Sequence, residues 1–207
     1  MNVRPTYAIE RDTTALIGVD VQRAFGEVVP VPDVETALEN MRNALGTWRG
    51  LQGRVVLTQH VFESPEQVGV IGDFLPKIFD AVGANAPTAE FHPDVKQAGD
   101  EVIRKTRFNA LVGTDLAKRL RDQNIATVVV GGLTTPICVQ ATVDGLMMAG
   151  FRVVVLADAC ASQAIGTMTA QDAHAAALER MAYVFAEVVS TSQFRDRCAA
   201  VTQAAAS

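Results

Sequence analysis

Long apolar runs, clustered cysteines and basic stripes are all missing from this chain of 207 residues. No segment approaches the roughly 18–20 apolar residues that a membrane-spanning helix needs, and Met1–Arg11 lacks the apolar core of a secretion signal. A net charge of −5 without a basic stripe argues against nucleic-acid binding and against attraction to an anionic membrane surface. We therefore expect a protein whose partners include neither nucleic acid nor membrane.

Cysteine is scarce, because only Cys138, Cys160 and Cys198 are present, and the chain contains no C-x-x-C pair. An odd number without that spacing predicts neither a disulfide framework nor a thiol redox centre. The simplest interpretation is a cytoplasmic protein whose thiols stay reduced. The hydrophobic fraction of 49% and the charged fraction of 20% are ordinary for a globular protein. We expect one domain over residues 1–207.

Strand-like and helical segments alternate along the chain, which predicts an α/β fold with three αβα layers around a mostly parallel sheet. The predicted strands are Thr14–Val19, Arg54–Thr58, Glu101–Arg104, Ala126–Val130, Arg152–Leu156 and Val184–Val189. The predicted helices are Val34–Arg49, Asp115–Gln123, Pro136–Ala149 and Thr169–Met181. Between strands two and three, Val61–Gly99 is rich in proline and glycine. It is predicted to cross one end of the sheet, with a short helix near Phe74–Phe79.

The stretch that leads to Cys138 has the pattern of a buried strand, a glycine turn and the start of a helix. Thr135 is a suitable N-cap and Pro136 suits the first helical position, which puts Cys138 in the first helical turn. Unpaired backbone N–H groups and the helix dipole at that place lower the pKa of a thiol, which predicts a nucleophilic thiolate. The alternative interpretation is a structural cysteine, since unpaired cysteine is among the most buried residue types.

Two further polar residues follow strands and are predicted to lie at the same edge of the sheet. Asp20 comes directly after the first strand, and Lys105 after the short third strand. Ligands of open α/β sheets bind at the carboxyl ends of the strands, so Asp20, Lys105 and Cys138 can converge there. In the alternative interpretation Asp20 only caps the next segment and Lys105 is solvated. Arg104 or Arg107 would then face inward, although a compact ammonium tunes a neighbouring carboxylate more locally than a guanidinium.

Three short segments resemble those of the isochorismatase-like cysteine hydrolases. Asp20–Phe25 is similar to their D-x-Q-x-x-F segment, and Lys105–Ala110 to their lysine segment. Gly132–Val139 is similar to their nucleophile loop, G-x-x-T-x-x-C-V. The resemblance runs in order from about Thr14 to about Ser192. It implies the Rossmann-like, isochorismatase-like hydrolase fold.

The resemblance also implies a catalytic triad of Asp20, Lys105 and Cys138. Asp20 would take the thiol proton and later pass it to the leaving amine, and Lys105 would hold the carboxylate and favour the thiolate. Cys138 would attack a carbonyl carbon to give a thioester that water hydrolyses. A cis peptide between Leu133 and Thr134 is implied as well, with the N–H groups of Thr134 and Cys138 forming an oxyanion hole.

Neighbours of these motifs are candidates for the pocket. Gln22, Phe25 and Phe108 are predicted to line it, although Gln22 suits a structural hydrogen bonder better, and either phenylalanine could belong to the core. One conflict concerns Thr135, because an N-cap bond to the Cys138 N–H would consume a donor of the oxyanion hole. We therefore expect the Thr135 side chain to bond elsewhere.

Histidine spacing indicates neither a papain-like pair nor a metal site. His60 follows strand two, His92 lies in the irregular crossing segment and His174 lies inside a helix. Nicotinamidases of the family carry a D-x-H segment after strand two, whereas this chain has Thr58-Gln59-His60 there. A lone histidine with scattered acids is usually solvated surface. We predict no metal and no cofactor, and this departure argues against nicotinamidase activity.

The leading functional hypothesis is hydrolysis of a C–N bond in a small amide or carbamoyl compound, with release of ammonia or an amine. The presence of Cys138 favours this reaction over the vinyl-ether cleavage of true isochorismatases, which needs no thiol. That cleavage, with Asp20 as general acid, is one alternative, and a non-catalytic binding protein of the same fold is another.

The remaining cysteines are expected to have no catalytic role. Cys160 is predicted to be a small buried residue after a strand, with Asp158 tying down its loop, and Cys198 to lie in a polar tail. The alanine-rich segment Thr169–Ala186, together with the high apolar content, predicts that the chain forms a homo-oligomer.

Overall fold

A six-stranded parallel sheet organises the computed structural model, which describes residues 5–205 and side chains through residue 200. The strand order is β3-β2-β1-β4-β5-β6, and each neighbouring pair runs parallel. The strands are β1 (Thr14–Val19), β2 (Arg54–His60), β3 (Glu101–Lys105), β4 (Thr127–Leu133), β5 (Arg152–Ala161) and β6 (Glu187–Val189). The predicted α/β class with a central parallel sheet is confirmed.

Helices cover both faces of the sheet. They are α1 (Ala24–Glu27), α2 (Val34–Gly50), α3 (Ile71–Phe74), α4 (Ile78–Val82), α5 (Leu116–Asp122), α6 (Gln140–Met148), α7 (Ala170–Val184) and α8 (Thr191–Ala205). One face packs against α5, α6 and α7 through a core that includes Leu120, Leu146 and Met181. The other face packs against α2 and α8 through a core that includes Trp48 and Phe194. The chain therefore has the three layers that the alternation of segments predicts.

The strand before the nucleophile loop is longer than predicted, since β4 continues through the glycine pair to Leu133. Gly132 pairs with Val19 of β1 and with Cys160 of β5, so both neighbours keep the chain extended. A Cβ atom at Gly132 would lie 2.1 Å from the Val19 carbonyl oxygen, and the residue has a φ of 133°. Glycine is needed here for both close approach and conformation. Because β5 pairs with this end of β4, β5 extends to Ala161, and Cys160 lies inside a strand.

The crossing segment differs in detail from the prediction. One helix was expected near Phe74–Phe79, but α3 ends at Phe74 and α4 begins at Ile78. Pro76 lies between them, and a proline disfavours helical geometry in the residue before it. The segment packs a small core against Phe62, close to the carboxyl ends of the strands.

The end of the described chain is helical, which corrects the predicted polar tail. Cys198 lies on α8 and is buried against the sheet together with Phe194. The preceding region is shifted too, because α7 continues to Val184 and β6 begins only at Glu187. Over residues 5–205, every helix is too short or too polar to traverse a lipid bilayer.

Candidate active site

The carboxyl edge of the sheet brings the three predicted residues together. Asp20 follows β1 with a left-handed φ of 48°, a conformation that is uncommon outside glycine. Its N–H donates to the Thr58 carbonyl oxygen at 3.2 Å, which turns the aspartate out of the strand. Lys105 is the last residue of β3, and Cys138 lies in the turn after β4. A carboxylate oxygen of Asp20 and Sγ of Cys138 lie within 4.8 Å of each other.

Asp20 and Lys105 form a fully buried ion pair. Nζ of Lys105 lies 2.6 Å from Oδ2 of Asp20, and both side chains are 0% exposed. Nζ also donates to the carbonyl oxygens of Arg107 at 2.9 Å and Phe108 at 3.1 Å. Burial lowers the pKa of Lys105, but Asp20 and Cys138 raise it, and the net pKa is raised. The ammonium is therefore charged at neutral pH.

The neighbouring arginines do not take the place of Lys105. Arg104 is exposed and pairs with Glu63 at 2.8 Å. Arg107 is also exposed, and its guanidinium donates to the backbone oxygen of Gln67 at 3.1 Å. Of the three basic residues in this segment, Lys105 is the one that the structure places beside Asp20.

Thr58 holds the other oxygen of the carboxylate, a contact that the sequence did not indicate. Its hydroxyl donates to Oδ1 of Asp20 at 2.6 Å and accepts from the Asp20 N–H at 3.1 Å. Thr58 pairs with Val19 in the register of β1 and β2, which puts it beside the first residue after β1. The signal that could have found it is therefore the strand register, which no local motif specifies.

The nucleophile turn has a cis peptide between Leu133 and Thr134, as the family resemblance implied. A single π-helical turn, Thr135–Val139, precedes α6, and the N–H of Val139 donates back to the Thr134 carbonyl oxygen at 3.3 Å. Thr135 is therefore not the N-cap but the first residue of the turn, since the chain at Thr134 is still extended. Its hydroxyl contacts Nδ1 of His174 at 2.8 Å. The expectation that the Thr135 side chain bonds elsewhere than Cys138 is confirmed.

Cys138 is buried, and its environment contradicts the predicted low pKa of the thiol. Burial raises the pKa strongly, Lys105 lowers it, and the Asp20 carboxylate raises it again. Desolvation outweighs the helix-end effect because Cys138 is only 3% exposed. The resting sulfur is a neutral thiol, with its hydrogen bond to Asp20 raising the pKa further.

His60 belongs to this site, which corrects its interpretation as solvated surface. The residue is 2% exposed, and a ring nitrogen lies within 4.8 Å of both a carboxylate oxygen of Asp20 and Sγ of Cys138. Burial, together with a smaller effect of the Lys105 charge, lowers the pKa of His60 to about 4. The imidazole is therefore neutral at neutral pH. No local motif indicated it, because its place depends on how β2 pairs with β1.

These three side chains offer donor atoms that could hold a metal ion. A cation there would meet the ammonium of Lys105, which already lies 2.6 Å from the Asp20 carboxylate. The donor set therefore suits a proton-transfer pair better than a metal centre. That the site uses no metal stays a prediction.

Gln22 is a structural hydrogen bonder, which is one of the two interpretations that its sequence position allows. Its amide group donates to the carbonyl oxygens of His60 at 3.0 Å and Ala89 at 2.7 Å, and its oxygen accepts from the His60 N–H at 2.8 Å. Both amide hydrogens are thus donated to backbone oxygens.

Phe108 lies beside the site, with its ring 5.9 Å from that of His60. Phe25 packs near Leu133. Their contact with substrate stays a prediction.

The other histidines lie outside the cluster of Asp20, His60 and Cys138. Nε2 of His92 contacts the carbonyl oxygen of Phe25 at 2.9 Å. Asp158 lies inside β5 and not in a loop, which corrects the prediction, and it holds the start of α8 by accepting from both the N–H and the hydroxyl of Thr191 at 2.7 Å.

An open cleft of about 540 Å³ lies away from the predicted residues. It is lined in part by Arg54, Glu101 and Gln123, at the amino ends of the strands. Because ligands of open parallel sheets bind at the carboxyl ends, the buried cluster is the stronger candidate.

Known proteins resemble this chain in sequence and in fold. Residues 14–193 match the isochorismatase domain model. The chain is 30% identical to the maleamate amidohydrolase of Pseudomonas putida over 69% of each protein. It is 26% identical to nicotinamidase 3 of Arabidopsis thaliana, over 87% of this chain and 86% of that protein. A cysteine hydrolase from Pseudomonas syringae superposes with a TM-score of 0.88 at 24% identity, over 95% of this chain and 97% of the other, which supports the fold.

Proposed function

Because the chain belongs to the isochorismatase family of hydrolases, we propose that it is a cysteine hydrolase of small amides or carbamoyl compounds. It would cleave a C–N bond through a thioester on Cys138. The observation that carries the proposal is the buried ion pair of Asp20 and Lys105, with a carboxylate oxygen of Asp20 within 4.8 Å of the Cys138 sulfur. An acid, a cation and a thiol at the carboxyl edge of a parallel sheet are the groups that acyl transfer requires.

In the proposed reaction, Asp20 takes the proton from the thiol as the sulfur attacks the carbonyl carbon. Lys105 stays protonated and stabilises the negative charge on the sulfur and then on the tetrahedral intermediate. The carbonyl oxygen would be held by the N–H groups of Thr134 and Cys138. Asp20 then returns the proton to the leaving nitrogen, the C–N bond breaks, and a thioester remains.

Water completes the cycle. Asp20 takes a proton from a water molecule that attacks the thioester carbon, and the sulfur leaves. The proton then returns to the sulfur, so the acid product departs and the resting thiol is restored. Atoms and charges balance without an oxidant or a reductant. The raised pKa of Cys138 fits this scheme, because the proton leaves the sulfur only during attack.

The names of two relatives support an amide as the bond that is cleaved. The maleamate amidohydrolase and the nicotinamidase are named for hydrolysis of an amide, and both align over more than two thirds of this chain. Vinyl-ether hydrolysis by Asp20 as general acid is the other candidate, since it uses the same carboxylate and needs no thiolate. The two reactions differ in their need for Cys138.

The test is ammonia release from a panel of maleamate, nicotinamide, N-carbamoyl amino acids and simple primary amides. We expect the wild type to release ammonia from at least one member, and both Cys138→Ala and Cys138→Ser to lose about a thousandfold or more of that rate. Cys160→Ser is the matched control, because Cys160 is also a buried cysteine but lies inside β5. Wild-type rates in Cys138→Ala would contradict the proposal.

A further inference from the structure

His60 carries a buried hydrogen-bonding atom that no group in residues 5–200 satisfies. Its Nε2 has no hydrogen-bond partner there. Buried polar atoms nearly always have a partner, and one without it needs an explanation. Because a nitrogen of this ring lies within 4.8 Å of both the Asp20 carboxylate and the Cys138 sulfur, the ring forms part of the wall around the reacting atoms.

The charged neighbours of this ring bond other groups. Nζ of Lys105 contacts Oδ2 of Asp20 and the carbonyl oxygens of Arg107 and Phe108. An ammonium has only three hydrogens to donate, and these three contacts are all to oxygen atoms. In the described part of the chain, Nε2 of His60 is therefore left without a hydrogen-bond partner.

The ring is held rigidly, as a positioning group should be. Gln22 bonds both the N–H and the carbonyl oxygen of His60, at 2.8 and 3.0 Å. The rings of Phe62 and Phe108 lie 4.9 and 5.9 Å from the imidazole, and they fix its plane. Preorganised groups of this kind lose little entropy when a ligand binds.

The neutral charge state allows Nε2 to be an acceptor. Burial, Lys105 and Arg107 lower the pKa of His60, while Asp20 and a hydrogen bond to the Thr106 backbone raise it. The ring is neutral at neutral pH. A neutral imidazole has a proton on one ring nitrogen and a lone pair on the other. With the proton on Nδ1, Nε2 has the lone pair and can accept a hydrogen bond.

We propose that His60 is a substrate-positioning residue whose Nε2 accepts a hydrogen bond from an N–H of the amide that Cys138 attacks. The inference rests on the proposed function and narrows its substrate class. A primary amide or carbamoyl group supplies the N–H and satisfies the buried lone pair. An ester or a fully substituted amide leaves that lone pair unpaired, so the site discriminates against both.

Two alkylating reagents of similar size test this without knowledge of the natural substrate. Iodoacetamide carries N–H donors, and methyl iodoacetate has none. The rate of Cys138 alkylation by each reagent is measured by mass spectrometry with peptide mapping, and divided by the rate of the same reagent with N-acetylcysteine. The ratio of the two normalised rates cancels any change in thiol reactivity. His60→Phe keeps a ring without an acceptor, and His60→Gln keeps an acceptor.

We expect the iodoacetamide to methyl iodoacetate ratio to fall about tenfold in His60→Phe, and to recover in part in His60→Gln. A purely structural role would slow both reagents alike, so an unchanged ratio would overturn the inference. Should thermal melting show that His60→Phe is unfolded, His60→Leu replaces it, with the same expectation. If Cys138 of the wild type reacts with neither reagent, the proposed function itself is contradicted. Failure of the proposed function is thereby distinguished from failure of the inference about His60.

Discussion

At the scale of single residues, the site depends on a fully buried pair of opposite charges. Removing one partner of a buried ion pair leaves an uncompensated charge and is strongly unfavourable. Asp20 is held by Lys105 on one oxygen and by Thr58 on the other, each at 2.6 Å. The two contacts fix the plane of the carboxylate, and therefore the direction in which it can take a proton.

The contribution of Thr58 can be measured. We expect Thr58→Val, which has nearly the same shape without the hydroxyl, to lower kcat/KM by about ten- to a hundredfold, since hydrogen bonds to charged groups are among the stronger ones. Thr58→Ser keeps the hydroxyl and should remain within a few-fold of the wild type. Steady-state ammonia release measures both variants, and thermal melting checks that each is folded. Equal rates in Thr58→Val and wild type would show that the carboxylate needs no such support.

Single residues of this site differ in how well the sequence predicts them. Asp20, Lys105 and Cys138 each lie in a short motif that ends a strand, so the sequence places them at one edge. Thr58 and His60 lie in no such motif. Their roles depend on the register of β2 against β1 and on the hydrogen bonds that Gln22 makes across the chain, both of which form only on folding.

At the scale of elements, the nucleophile turn explains why one prediction is wrong. The helix dipole was expected to ionise Cys138, but the chain begins this helix with one π-helical turn in which Cys138 is buried. The dipole effect is modest and is confined to the first and last turns of a helix, whereas burial of a thiol without enough compensating charge raises its pKa. The motif predicts where the sulfur lies but not how dry its surroundings are.

Two neighbouring helices also present apolar side chains to solvent. Met148 on α6 is 78% exposed, and Tyr183 and Val184 on α7 are 73% and 58% exposed. An ion pair of Arg180 with Asp144, at 2.9 Å, joins the same two helices. Asp144 lies one turn before Met148, and Arg180 one turn before the exposed pair, so these side chains form one surface.

We expect copies of the chain to associate through this surface, in line with the predicted homo-oligomer. Light scattering coupled to size exclusion should give a molar mass that is a multiple of 22.1 kDa. The double variant Met148→Glu with Tyr183→Glu should reduce that mass, because like charges would face each other across the contact. Phe74→Glu, at an exposed residue of α3, serves as the control. A wild-type mass of 22.1 kDa at micromolar concentration would contradict the expectation.

At the scale of the whole molecule, alternation of strands and helices was enough to predict the layered α/β fold. Buried parallel strands have nearly continuous apolar runs, such as the predicted strand Ala126–Val130, which local sequence alone can identify. The regions that the sequence misjudged lack such a signal. The crossing segment is built of short turns, and α8 reads as polar because only part of its surface packs against the sheet. Neither the crossing segment nor α8 has a local apolar pattern strong enough to predict its structure against its polar composition.

The most direct test of the thioester is the mass of the enzyme during turnover. The wild type is mixed with the panel amide that releases ammonia fastest, quenched in acid within the first turnovers, and analysed intact and by peptide mapping. A gain equal to the acyl group, located on Cys138, is the predicted result. Ammonia release while Cys138 keeps its unmodified mass, or an acyl group on another residue, would contradict nucleophilic attack by Cys138.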